Sequence, residues 1–218
     1  MNLERMRNLA ELRKLVKIKR ESLDKISKFL QQKGVSKLVA EELSLKCLKE
    51  EEGMKALPRL LEETFPLEKS KTLSDVVMVG MTGCGGEEVA AASHLFCSPY
   101  DEEAIEEIGK EVAHLGHPEL HLVLPCCLKE EDMYATLRQF SALPLTHLAF
   151  THMEQTITLG TVLNVALRSE LPTRYFSDSD GVYERDASPF VKHLLTHKNE
   201  KEFQLIRSIV MGERDGIT

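Results

Sequence analysis

The sequence predicts an α/β protein, a helical bundle followed by a parallel sheet of about four strands. Three observations predict it. Residues 1–65 carry apolar side chains at three- and four-residue steps, with no stretch of strict alternation. Beyond residue 74, short apolar runs alternate with amphipathic stretches, the pattern of βαβ units. The first of those runs, Asp75-Val-Val-Met-Val-Gly80, opens directly into a glycine-rich segment, as the first strand of a nucleotide-binding sheet does.

The elements follow in order. The bundle, residues 1–70, comprises a periodic stretch at 1–30, a break at Gln31-Gln-Lys-Gly34, a second helix at 36–49 and a third at 53–65 around Pro58. Residues 66–74 read as a linker. The second unit, residues 71–218, has strands expected at 76–80, 120–125, 145–150 and 173–176. Helices are expected at 87–96, 102–115, 129–140, 156–167, 189–196 and 200–211. Ser98-Pro-Tyr-Asp-Glu-Glu103 is a capped helix start, with proline early and acids in the first turn.

Bulk composition narrows the function. The chain has 218 residues, 42% hydrophobic and 29% charged, as in globular proteins. No apolar run is long enough to span a bilayer, and the amino terminus lacks a secretory pattern. Five irregularly spaced cysteines favour a reducing compartment, so a cytoplasmic address is expected. A net charge of -7 argues against nucleic-acid binding. Residues 1–20 run against that balance. Arg5, Arg7, Arg13, Lys14, Lys17, Lys19 and Arg20 interleave with Leu3, Met6, Leu9, Leu12 and Val16. Such a helix suits either a bundle with a solvated basic face or peripheral contact with an anionic membrane.

The glycine-rich segment, Gly80-Met-Thr-Gly-Cys-Gly-Gly-Glu-Glu88, has the G-x-x-x-x-G spacing of a phosphate-binding loop through Gly80 and Gly85. Gly86 occupies the lysine position and Glu87 the Ser/Thr position. The lysine reaches the β/γ-phosphates and the hydroxyl holds Mg²⁺. With the cation and the hydroxyl gone, the carboxylates of Glu87 and Glu88 oppose a triphosphate.

Several segments together resemble the NG module of the SRP-type GTPases. Phe29-Leu-Gln-Gln-Lys-Gly-Val-Ser-Lys-Leu-Val-Ala40 is similar to that family's L-x-x-x-G-V helix pair. Val77-Met-Val-Gly-Met-Thr-Gly-Cys-Gly85 is similar to its V-x-V-G-P-T-G-x-G-K-T-T loop, and His121-Leu-Val-Leu-Pro125 to its next strand. Phe150-Thr-His-Met-Glu-Gln-Thr156 resembles F-T-K-L-D-E-T. Gly160, Leu163-Asn-Val-Ala166 and Leu171-Pro-Thr-Arg-Tyr-Phe176 follow in family order. Within the family the likeness is to the FlhF-like, flagellar-placement branch.

The resemblance implies a truncated P-loop (Rossmann-like) sheet and a vestigial nucleotide site at Gly80, Gly83, Gly85, Gly86, Thr151 and Glu154. It also shows what is replaced. His152 stands for the guanine-stacking lysine, Glu154 for the base-reading aspartate and Ser179-Asp180 for a G-Q pair. In the family about a hundred residues, several βαβ units, separate the loop helix from the His121 strand. They include the strand leading into D-T-A-G, which lies beside the P-loop strand. Here residues 97–119 hold one helix, so that strand is expected to be deleted. Residues 76–80 would then form an exposed edge. That edge would pair with a second copy, accept a partner's strand, or be covered by the bundle.

Other clusters carry less. Cys84, Cys126 and Cys127 fall near the carboxyl ends of neighbouring strands but match no zinc spacing. His114, His117 and His121 are close in sequence without evident convergence, and His114 suits a helix C-terminus. Asp178, Asp180 and Gly181 give a fragment of a calcium loop that reads better as a turn. No nucleophile–base pattern and no catalytic or metal-ligating set emerges.

The resulting expectation is a pseudo-GTPase without cofactor. It would act as a scaffold or localisation factor through protein partners in flagellar or polar assembly. Two alternatives stand beside it: a weak GTP or GDP binder with residual GTPase activity, and a regulator using the cysteines for metal or redox chemistry.

Overall fold

The computed structural model describes residues 20–69, 75–89, 92–116 and 118–196. The basic stretch 1–20, apart from Arg20, the helix expected at 200–211 and His117 lie outside them. Residues 20–32 form α1, followed by α2 (Lys37–Lys49) and α3 (Leu57–Thr64). The second half runs β1 (Val76–Met81), β2 (Ala92–Cys97), α4 (Glu102–His114), β3 (Glu119–Pro125), α5 (Glu130–Gln139), β4 (His147–Thr151), α6 (Gly160–Ser169), β5 (Thr173–Asp178), β6 (Gly181–Glu184) and α7 (Ser188–Thr196).

One mixed sheet has the order β2-β1-β3-β4-β5-β6. The first five strands are parallel, and β6 returns antiparallel through a tight turn. Strands β1, β3, β4 and β5 are buried nearly end to end, as a parallel sheet requires. Their relative order agrees with the sequence. The count does not: there are six strands rather than four.

The main correction concerns residues 87–96. They do not form a helix: residues 87–89 are a turn and loop, and Ala92–Cys97 forms β2 beside β1, paired from Val76↔Ala92 to Met81↔Cys97. Ser-His-Leu-Phe-Cys is rich in residues that suit a strand, whereas the alanines at 90–92 suggested a helix. Residues 76–80 are therefore interior, flanked by β2 and β3, and the edge expected to mediate dimerisation lies at β2 instead. A bundle cover for that edge is unnecessary for the same reason.

Crossover handedness explains the layering. The connections β2→β3, β3→β4 and β4→β5 run the same way across the sheet, so right-handed crossovers place α4, α5 and α6 on one face. That face carries Val77, Val79, Leu120, Leu122, Leu124, Leu148, Phe150 and Phe176, and α1–α3 and α7 join the same core. Phe65 at the end of α3 packs edge-on against Phe150, Phe176 and Phe190. The connection β1→β2 runs the other way, and its helix would cover the opposite face. That face carries Val76, Met78, Val123, Ala149 and Tyr175, joined by Cys84 from the loop and by no helix among the described residues.

Candidate functional site: a remodelled phosphate loop

The loop leaves β1 at Met81, whose carbonyl accepts from Cys84 N–H at 3.0 Å. Gly83, Gly85 and Gly86 have φ of +79°, +78° and +94°, values open chiefly to glycine. Gly86 is followed by a short turn in which Val89 N–H donates to Gly86 O and Ala92 N–H to Val89 O, leading to β2. The helix that should present its N-terminus to phosphate is replaced by this turn.

Of the six residues expected at a vestigial site, the structure brings together the loop glycines and Thr151. The Thr151 hydroxyl donates to the Cys84 carbonyl at 2.5 Å, which ties the loop to the end of β4. A Cβ on Gly85 would stand 3.0 Å from His152 Nε2, so His152 lies against the loop. It adopts a left-handed conformation, φ 57°, at the start of a short turn of 3₁₀ helix, Met153–Gln155. Gly80 is required by closeness: a Cβ there would meet Cys84 Sγ and the Val123 carbonyl, each at 3.0 Å.

The phosphate end does not fit a magnesium triphosphate. Glu88 Oε2 accepts from Gly86 N–H at 2.9 Å, so the loop's backbone donor already holds an internal anion. His94 Nε2 lies 3.0 Å from Gly86 O. No lysine or hydroxyl follows Gly85. The base end differs: Glu154 Oε2 is buried without a hydrogen-bond partner, an acceptor left over where the resemblance places the guanine-reading carboxylate.

The cysteines do not converge on a metal. Among the described residues, the only cluster of three or more His, Cys, Asp or Glu donors close enough for one ion is Glu119, His121 and His147. Burial, with Glu87 and Glu88 adding to it, pushes the Cys84 thiol up to about 12. Burial holds Cys126 well above the usual thiol range, helped by Cys127 and Glu154. Thiols so shifted stay protonated and react slowly. Asp178 is a turn residue rather than part of a calcium loop: its Oδ1 accepts from Asp180 N–H at 2.8 Å and Gly181 N–H at 3.2 Å. His114 bonds back to Lys110 O at 2.6 Å, as its helix-end position suggested.

Sequence reasoning passed over Asn164, which joins the bundle to the sheet. Its Oδ1 accepts from Ser36 N–H at 2.8 Å, and its Nδ2 donates to Gly34 O at 2.9 Å and Glu130 Oε2 at 2.8 Å. An amide at a buried position of an amphipathic helix was the available signal.

No family model matches the sequence. The flagellar biosynthesis protein FlhF of Bacillus subtilis (strain 168) is 26% identical over 132 residues, covering 54% of this chain and 36% of that protein. The chain thus matches little more than a third of that relative's length. The crystal structure of FlhF complexed with GMPPNP and Mg²⁺ superposes with a TM-score of 0.55 at 18% identity, over 80% of this chain and 99% of that one. The signal recognition particle receptor FtsY from Elizabethkingia anophelis, in complex with GDP, gives 0.55 at 13% identity, over 79% and 84%. The cell division protein FtsY of Thermotoga maritima gives 0.52 at 17% identity, over 81% and 89%.

The fold is that of an SRP-type GTPase module. Its sequence likeness is to FlhF. The resemblance places the strand leading into D-T-A-G beside the P-loop strand; β2 occupies that place here, and Ser98-Pro-Tyr100 follows it. Against that resemblance, the path of the chain puts the shortening between the loop and β2 rather than after residue 97. It removes the loop helix and leaves a strand in place without the aspartate and glycine that would follow it.

Proposed function

We propose that this chain is an FlhF-like pseudo-GTPase that acts as a scaffold or localisation factor in bacterial flagellar or polar assembly, without useful GTP hydrolysis. The observation that carries this reading is the path of residues 80–92, from β1 through a turn to β2, with Glu88 bonded to Gly86 N–H. Phosphoryl transfer depends on positioned charge, and this path supplies neither the cation nor the helix terminus that neutralise a γ-phosphate. The chain works through protein partners in the cytoplasm, with residues 1–20 giving peripheral contact at the inner membrane surface. No helix among the described residues is long and apolar enough to cross a membrane.

A second reading is favoured by the unpartnered Glu154 Oε2. It is a weak GTP or GDP site in which the base is read and the phosphates are loosely held. Solved relatives bound to GMPPNP with Mg²⁺ or to GDP support it.

Calorimetric titration with GTP, GDP and ATP, with and without Mg²⁺, separates the two. The pseudo-GTPase reading expects no heat, no shift in melting temperature and no phosphate release. Guanine-specific heat with at most residual turnover supports the second reading, and sustained hydrolysis overturns the first.

A further inference from the structure

At the end of the sheet opposite the remodelled loop, β3 and β4 begin side by side, with His121 and His147 in direct register. Both side chains are buried, His121 completely. One nitrogen from each and one oxygen of Glu119 lie within 4.8 Å of one another. We propose that Glu119, His121 and His147 bind a divalent transition-metal ion, with zinc the ion that best suits two imidazoles and a carboxylate.

The hydrogen-bond inventory supplies the second, independent observation. Glu119 Oε2 lies 3.3 Å from His121 Nε2, so that nitrogen carries the proton. His121 Nδ1 is then a bare lone pair, buried and with no partner. Such an orphan is rare in a folded interior, and a bound cation accounts for it. Glu68 Oε2 lies 2.6 Å from His147 Nε2, a second carboxylate at the same spot, and Thr146 Oγ1 lies 2.8 Å from His147 Nδ1, so His147 gives up one of these partners to ligate the ion.

Glu119 sits at His121 Nε2 while the free lone pair is on Nδ1, so the carboxylate must turn to share an ion with it; the partners of Glu119 and the packing of the rings bear on that turn. Arg174 bonds to Glu119, but it also holds Glu184 through Nε at 3.2 Å and Nη2 at 3.1 Å, and keeps those contacts when Glu119 turns. The two rings are stacked, 4.5 Å apart and 10° from parallel, so their lone pairs converge only after one ring rotates about χ2. The ion would pin the starts of β3 and β4, and through Glu68 the segment leaving the bundle. This site stands apart from the nucleotide question, since it lies at the amino-terminal ends of the strands.

The test is a titration of the untagged full chain, stripped with chelator, with Co(II) and then Zn(II). The expected result is one Co(II) per chain with visible d–d absorption, displacement by Zn(II), and a raised melting temperature. Glu119→Gln, nearly isosteric, and His147→Gln each weaken binding at least about tenfold, with far-UV dichroism verifying the fold of each. The proposal is overturned if the native chain binds no Co(II) or if neither substitution weakens binding. A sulfur-to-cobalt charge-transfer band also overturns it, because the ion would then sit on a cysteine.

Discussion

Gly160 donates its backbone N–H to the carbonyl of Lys33 at 2.8 Å, and this contact seats the first turn of α6 against the turn between α1 and α2. The approach is possible only without a side chain. A Cβ on Gly160 would stand 2.2 Å from Val35 N and 2.6 Å from both the Gly34 carbonyl carbon and Lys33 O. All three are backbone atoms, so no rotamer change relieves the clash.

Gly160→Ala tests that contact. In an unconstrained helix the change would stabilise by about 0.4–1 kcal/mol. Here it should destabilise by about 3 kcal/mol or more, since the bundle must move off the sheet. Urea unfolding reads the loss, and near-UV dichroism should show weakened tertiary packing before helix content falls. An unchanged midpoint would mean that the bundle does not rest on α6 in solution.

Asn164→Ala addresses the same junction through its polar contacts. The substitution leaves Ser36 N–H and Gly34 O without their side-chain partner in a largely buried place. Losing those partners should cost about 2–4 kcal/mol, more than an exposed asparagine would. The midpoint of urea unfolding checks this. Asn164→Asp should also destabilise, because the new carboxylate would face Glu130 Oε2, now 2.8 Å from Nδ2.

These two residues show what could be read beforehand and what could not. The repeated apolar runs at Val77–Val79, Leu120–Leu124 and Leu148–Phe150 report a buried sheet directly, because interior parallel strands need apolar side chains on both faces. The order β1, β3, β4, β5 follows from the family order. Residues 87–96 misled because Val89-Ala-Ala-Ala92 favours a helix locally, while pairing with β1 decides the strand at Ala92–Cys97. The Glu119, His121 and His147 cluster was hidden for a different reason. Its members come from two strands that become neighbours only when register is known. Gly85 and Thr151 were legible as a loop and its neighbour, but Glu88 folding back onto Gly86 N–H was not, since it depends on the turn that replaced the helix.

Asp178 carries the pH dependence that can be assigned with a definite sign. Burial opposes its charge. Bonds from Asp180 and Gly181 N–H, from His193 and from the Tyr183 hydroxyl outweigh that, so its pKa falls below the usual 3.8. The folded chain thus releases this proton more readily than the unfolded chain. The stability is fully present above the unfolded value and is lost as pH falls through the folded one. Asp178→Asn should lower stability at neutral pH by about 1–3 kcal/mol. It should also flatten the acid limb of the stability curve below about pH 4. An acid limb identical in the two proteins would assign that limb to other carboxylates.

Glu88→Ala asks whether the remodelled loop is merely blocked or has lost its function. In the native chain the Glu88 carboxylate occupies the Gly86 N–H, so replacing it frees one backbone donor and removes one negative charge. Anion affinity should rise, by about tenfold or less for pyrophosphate or GDP, as expected for a single charge-assisted hydrogen bond. Hydrolysis should remain at background even in Glu87→Ala/Glu88→Ala, because the lysine, the metal-binding hydroxyl and the helix terminus are still missing. Single-turnover phosphate release with excess protein is the decisive measurement. Turnover restored by removing two carboxylates would make the loop a gated GTPase site, and the pseudo-GTPase reading would have to be abandoned.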